Sequence, residues 1–117
     1  MIRVYIAGAL AAPAEQYIHN LSLMTEEAEQ VRKAGFSVYH PGLIFLMGFK
    51  FGNWTYRDYF DNSQEWLKVS QAVYVCPNSQ NSKGTQAEIK TAEELGIPIF
   101  HNLEDLIQWR KQLKNQS

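Results

Sequence analysis

The sequence predicts an α/β fold: a flavodoxin- or Rossmann-like three-layer sandwich around a small, mostly parallel sheet of four or five strands. Three observations carry this prediction. Runs of β-branched and aromatic residues alternate with stretches of helical periodicity, strand then helix, from one end of the chain to the other. The strand runs are apolar throughout rather than alternating, as in strands buried between two helix layers. Glycine or proline closes most segments, at Gly8, Gly35, Pro41-Gly42, Pro77 and Gly96. Strand–helix–strand order of this kind builds parallel sheets with right-handed crossovers and helices on both faces.

Arg3 to Ala7 is rich in β-branched and aromatic residues and stops at Gly8, which reads as a buried strand ending at a tight turn. Leu21, Met24, Ala28 and Val31 recur at helical spacing, and Gly35 follows as a stop, so an amphipathic helix comes next. Phe36 to His40 reads as the second strand, after which an unusually apolar and aromatic loop runs from Pro41-Gly42 to about Tyr56. Arg57 to Ser70 predicts a helix whose inward face carries Tyr59, Phe60, Ser63, Trp66, Leu67 and Ser70, with Asp58, Asp61 and Glu65 facing away. Ala72 to Cys76 is the third and clearest strand. A polar loop, Asn78 to Gly84, leads into a helix from Thr85 to Leu95 closed by Gly96. Ile97 to His101 is the fourth strand, and Pro98 within it points to a strand start or sheet edge. Asn102 caps a last helix carrying Leu103, Leu106, Ile107 and Leu113.

With 117 residues, 45% of them hydrophobic and 20% charged, the chain is expected to form one domain over residues 1–117. Lys plus Arg (11) nearly balance Asp plus Glu (12), and the net charge of -1 gives no broad attraction to a nucleic acid polymer or an anionic membrane. No apolar stretch approaches the roughly 18 residues of a spanning helix, and Gly8 interrupts the N-terminus before any signal-peptide core. A cytoplasmic protein is expected. A single cysteine, Cys76, excludes an intrachain disulfide and a cysteine-based metal site. His19, His40 and His101 lack metal-ligand spacing, so neither a metal nor a cofactor is expected.

Open parallel sheets bind ligands outside the carboxyl ends of their strands, so Gly8, His40, the Asn78–Gly84 loop and His101 are expected to border one crevice. Glu88 is the strongest candidate there. Helical rotation places it on the apolar side with Ile89, Ala92 and Leu95, while Lys90, Glu93 and Glu94 point to water. Burying an unpaired charge is costly, so Glu88 reads either as a cap for its own helix or as a carboxylate nucleophile in the crevice, favoured by the nearby helix N-terminus. Ser82-Lys83-Gly84-Thr85 opens that helix with free N–H groups, a hydroxyl and a glycine. It reads as ordinary capping or as a seat for phosphate or a sugar hydroxyl, and it lacks P-loop spacing. Tyr5 is either core or a hydroxyl presented to Glu88. Ser63 stands where a hydrophobic residue is expected, so it either bonds back to its helix or faces the cleft. Cys76 reads as an inert buried side chain. The run holding Phe45, Met47, Phe49, Phe51, Trp54, Tyr56, Tyr59 and Phe60 is too apolar for a solvated loop. Core or a subunit interface is expected first, and a lid stacking on a planar base second.

Three pieces of the chain resemble the nucleoside 2-deoxyribosyltransferase superfamily, which includes nucleoside 5'-monophosphate N-glycosidases and small phage and bacterial relatives. Val4-Tyr5-Ile6-Ala7-Gly8 looks like the first strand and its Tyr-x-Ala-Gly turn. Trp66 to Val75 is similar to the helix leading into the third strand. Ser82 to Glu88, with Ala92, Leu95-Gly96 and Pro98 downstream, looks like the Ser-x-Gly-x-x-x-Glu signature. The resemblance implies a retaining reaction in which Glu88 attacks the anomeric carbon of a nucleoside or nucleotide and releases the base. Water or a second base then completes the turnover, as in any double displacement. It also implies that Tyr5 orients Glu88, that Ser82 and Gly84 hold sugar or phosphate oxygens, and that the chain forms a homodimer or higher homo-oligomer. Gly8, Ser63 and His40 are expected to join them as substrate-binding residues. Two positions depart from the family pattern. Ser63 occupies the slot of an assisting Asp, with Asp61 two residues away on the opposite face, and Ala9-Leu10-Ala11-Ala12 replaces a phosphate-binding Ser and Arg. The alternative reading is a non-catalytic module that binds or senses a nucleotide derivative on the same fold.

Overall fold

The computed structural model describes residues 1–10, 14–77, 79 and 81–116. Its strands are β1 (Arg3–Ala7), β2 (Ser37–Tyr39), β3 (Ala72–Val75) and β4 (Ile99–Phe100). The helices are α1 (Ala14–Lys33), α2 (Phe45–Phe51), α3 (Tyr56–Lys68), α4 (Lys83–Leu95) and α5 (Leu103–Gln116), with a 3-10 turn over Pro41–Ile44 before α2. All strand pairs are parallel, in the order β2-β1-β3-β4. The fold is therefore the expected flavodoxin/Rossmann-like three-layer α/β sandwich, with four strands.

The sheet divides the core in two. On one face Val4, Ile6, Ala72 and Tyr74 meet Met24, Ala28 and Val31 of α1 and Leu106 of α5. On the other, Tyr5, Ala7, Val73 and Val75 meet Leu67 of α3 and Ala92 of α4. Residues of both parities in β1 and β3 are buried, which is why these strands read as unbroken apolar runs. β1 and β3 are the central neighbours from which the chain winds outward in opposite directions. Their carboxyl ends form the switch point where such sheets open a crevice.

Several boundaries differ from the expectation for identifiable reasons. The second strand is shorter than Phe36–His40 because Phe36 turns into the core against α1 and His40 caps the 3-10 turn. The fourth strand is reduced to Ile99–Phe100 because the Ile97 N–H is already bonded to Ala92 O and Pro98 has no N–H to give. It lies at the sheet edge, as Pro98 indicated. The apolar loop contains helix α2, which starts without a side-chain cap and ends at Gly52 in the left-handed conformation (φ 66°). Trp66 is 52% exposed rather than inward. It lies flat on Tyr39 at 5.5 Å between ring centroids, an edge-strand contact that helical periodicity alone does not show. Asn78, where the polar loop opens, lies outside the described residues, as do Ala11 and Ala12.

Candidate active site

Helix α4 is held by its first residues. The Ser82 hydroxyl caps it by accepting the Thr85 N–H at 3.3 Å. From that start, Thr85, Glu88 and Ala92 fall on the sheet-facing side; Thr85 and Ala92 are buried and Glu88 is only partly accessible. Glu88 accepts a hydrogen bond from the Tyr5 hydroxyl, donated from the middle of β1. It is therefore not consumed in capping its own helix. Burial pushes the Glu88 carboxyl up to about 8, and the Tyr5 bond works against that rise. The Tyr5 phenol is itself held well above its ordinary range, by burial first and then by the charge of Glu88, so it remains a proton donor.

Tyr5 is fixed from behind by an aromatic stack. Its ring lies on Tyr39 at 5.6 Å, and Tyr39 in turn lies on Trp66. The Ser63 hydroxyl interacts with both phenols and favours their ionised forms. At the end of β1, a Cβ on Gly8 would stand 3.2 Å from Met24 Sδ and 3.4 Å from Cys76 Sγ. The next N–H, of Ala9, donates to the buried Ser79 hydroxyl at 3.0 Å, tying the loops after β1 and β3 together.

A cavity of about 920 Å³ opens over Glu88. Tyr5, Gly8, Ser63, Ser82, Gly84 and Glu88 all line it, so six of the sequence-derived candidates converge on one space. His40 does not. Its Nδ1 accepts the Gly42 N–H at 3.1 Å and its Nε2 stands 2.9 Å from Thr25 Oγ1, whose own proton goes to Leu21 O. Burial lowers its pKa, and this network requires the neutral ring with its proton on Nε2. His40 thus pins the chain between β2 and α2. His101 is exposed and outside the cavity lining. Asp58 is engaged in a capping box with Thr55, and Asp61 pairs with Arg57 at the surface. Glu88 is the only carboxylate among the described lining residues.

The far side of the cavity is aromatic. Phe45 of α2 stacks on Tyr59 of α3 at 4.2 Å, and Trp54 tilts against the same ring at 5.0 Å. Gly48 makes this docking possible, since a Cβ there would overlap the Tyr59 hydroxyl. The segment between the 3-10 turn and α3 therefore serves as a pocket wall on one side. Its other side remains open to solvent, with Leu46 and Phe51 each at least 64% exposed.

A family model described as a domain of unknown function, DUF4406, matches residues 2–101. The chain belongs to the DUF4406 family. In this DUF4406 chain the matched region runs from β1 through β4 and contains every residue of the cavity lining. A solved structure of a conserved protein from Enterococcus faecalis V583 is similar at TM-score 0.54 and 20% identity, over 85% of this chain and 61% of that one. The chain thus spans about three-fifths of the length of that relative (61%), and the likeness speaks to fold alone. No curated protein matches.

Two polar lining residues escaped the sequence reading. Gln64 is buried on α3 beside Ser63 and faces the cavity; the spacing of Phe60, Ser63, Gln64 and Leu67 carries the signal, since these positions form one helical stripe. Tyr17 lines the cavity from α1, but a lone tyrosine near a helix start gives no signal in sequence.

Proposed function

We propose that this DUF4406 chain is a nucleoside N-glycosidase, or a deoxyribosyltransferase-like enzyme, that cleaves the N-glycosidic bond with Glu88 as nucleophile. The observation that carries the reading is a carboxyl set at the switch-point crevice, bonded by Tyr5 and open to a cavity large enough for a nucleoside. In the first step the ionised Glu88 attacks the anomeric carbon, the bond from sugar to base breaks, and the base leaves with the electron pair and takes a proton from solvent. In the second, water attacks the same carbon, the sugar–Glu88 ester opens, and the carboxylate returns as the water gives up its proton. With a second base in place of water the result is transfer. Tyr5 supports the carboxylate in both steps, because its hydrogen bond favours the ionised form. An apolar setting leaves that carboxylate poorly solvated and aimed, at the cost of an ionised fraction of roughly a tenth at neutral pH.

A nucleoside suits the cavity better than its 5'-monophosphate. None of the described lining residues is Lys, Arg or His, so a phosphate would find no cation, only the N–H groups at the start of α4 and neutral donors such as Ser82, and would stand beside Glu88. The aromatic wall favours a planar base. One observation supports the non-catalytic alternative, a binding module, namely the lack of a second carboxylate among the described lining residues to assist base departure.

The outward apolar side of α2 supports self-association. No helix among the described residues is long and apolar enough to cross a membrane, and the buried free Cys76 suits a reducing, cytoplasmic setting. The test is chromatographic detection of free base from ribo- and deoxyribonucleosides and their 5'-monophosphates, beside a Glu88→Ala protein. Release from nucleosides that disappears in the variant supports the enzyme. No release, with nucleosides still raising the melting temperature, supports the binding module.

A further inference from the structure

Tyr17 stands apart from the other polar residues of the pocket. It is 9% exposed, it lines the cavity, and its hydroxyl is buried with no hydrogen-bond partner. A buried hydroxyl without a partner loses its hydration and recovers nothing from the protein, so a ligand atom that reaches it by a small shift of the pocket wall restores the bond. Its position adds to the argument. Tyr17 comes from α1, on the opposite side of the sheet from α4 and Glu88, so the two residues enter the cavity from different helix layers. Its ring is held edge-on to Phe45 at 5.2 Å, the same ring that stacks on Tyr59. The ring therefore belongs to the aromatic half of the pocket, where a flat apolar group would lie, and not to the half that holds Ser82, Gly84 and Glu88. Burial, then the neighbouring Tyr59, raises the Tyr17 pKa, which keeps the hydroxyl protonated and able to donate.

We infer that the Tyr17 hydroxyl donates a hydrogen bond to an acceptor atom on the planar base of the bound nucleoside, making Tyr17 a specificity-determining residue. The inference rests on the nucleoside reading of the site and adds what selects the base. A hydrophobic wall alone discriminates weakly between bases of similar shape, whereas a buried donor rejects any base that leaves it unpaired.

The experiment measures binding by calorimetry in a Glu88→Gln background, so that nothing is turned over, with deoxyadenosine and its ring-deaza analogues as probes, with and without Tyr17→Phe. Tyr17→Phe is expected to weaken deoxyadenosine binding about tenfold. One deaza analogue, lacking the acceptor that Tyr17 meets, is expected to bind about tenfold more weakly to the Tyr17 protein and equally to the two proteins. The free Tyr17→Phe protein is expected to melt at or above the temperature of its parent, since the lost hydroxyl has no partner in the protein. A fall of several degrees would make the hydroxyl structural and overturn the assignment. Equal affinity of both proteins for every probe would also overturn it while leaving the nucleoside reading intact. No binding of any probe to either protein, nor of the other common deoxynucleosides, would instead sink the nucleoside reading and this inference with it.

Discussion

Glu88→Gln should convert a pH-sensitive protein into one that is much less so, and the direction follows from the burial of the carboxyl. In the folded chain Glu88 titrates at about 8, against an ordinary value of 4.5. Between those two pH values the folded state holds a proton that the unfolded state has lost, so stability falls as pH rises. The contribution is fully present below the unfolded pKa and is lost as pH climbs through the folded one. At about 1.4 kcal/mol for each tenfold change, the full difference is at most about 5 kcal/mol. Partial solvent access to Glu88 brings the expectation to roughly 2–4 kcal/mol. For a chain of this size that is a shift on the order of 8–15 °C in melting temperature. The assay is thermal unfolding of wild type and Glu88→Gln from about pH 5 to about pH 9, read as the difference between the two curves. Groups such as His40 titrate in both proteins and cancel. Near-equal melting at the acid end, with the variant increasingly the more stable toward the alkaline end, is the expected result. A difference that stays flat with pH would mean that Glu88 is ionised throughout, either solvated or paired with a cation, and would refute the electrostatic reasoning.

Three further expectations follow. If the ionised Glu88 is the attacking group, glycosidase activity rises with pH toward about 8; Tyr5→Phe removes the bond that favours the carboxylate, so the rise in kcat/KM moves to higher pH as well as losing height. Gly48→Ala forces Tyr59 off α2, and should lower stability by about 1–3 kcal/mol and weaken nucleoside binding, both readable from melts with and without ligand. Leu46→Ser with Phe51→Ser removes two exposed apolar side chains from α2; light scattering should show a smaller assembly, and an unchanged mass would exclude this face as the contact.

The elements that proved most legible are those whose residues answer to one demand. β1 and β3 are buried on both faces, so their unbroken apolar runs reveal them almost to the residue. The segment from Pro41 to Tyr56 was opaque because its residues answer to two demands at once: Phe45 and Trp54 build the pocket wall, whereas Leu46 and Phe51 stay outside. No single periodicity describes both. Glu88 was visible because a carboxylate at an inward helix position violates the apolar pattern, and Ser63 for the same reason. His40 misled because position alone suggested the crevice; its ring is spent on the neighbouring Gly42 N–H and on Thr25 of α1, contacts that spacing does not disclose. Gln64 sat on a readable stripe. Tyr17 differs, since its interest lies in a missing partner, which only three dimensions reveal.

The most direct test of Glu88 as the nucleophile is mass spectrometry of the protein quenched during turnover of a deoxynucleoside. A sugar adduct on the peptide containing Glu88, absent from Glu88→Gln, is the predicted result. Base release that persists in Glu88→Gln, with no adduct at any quench time, would contradict it.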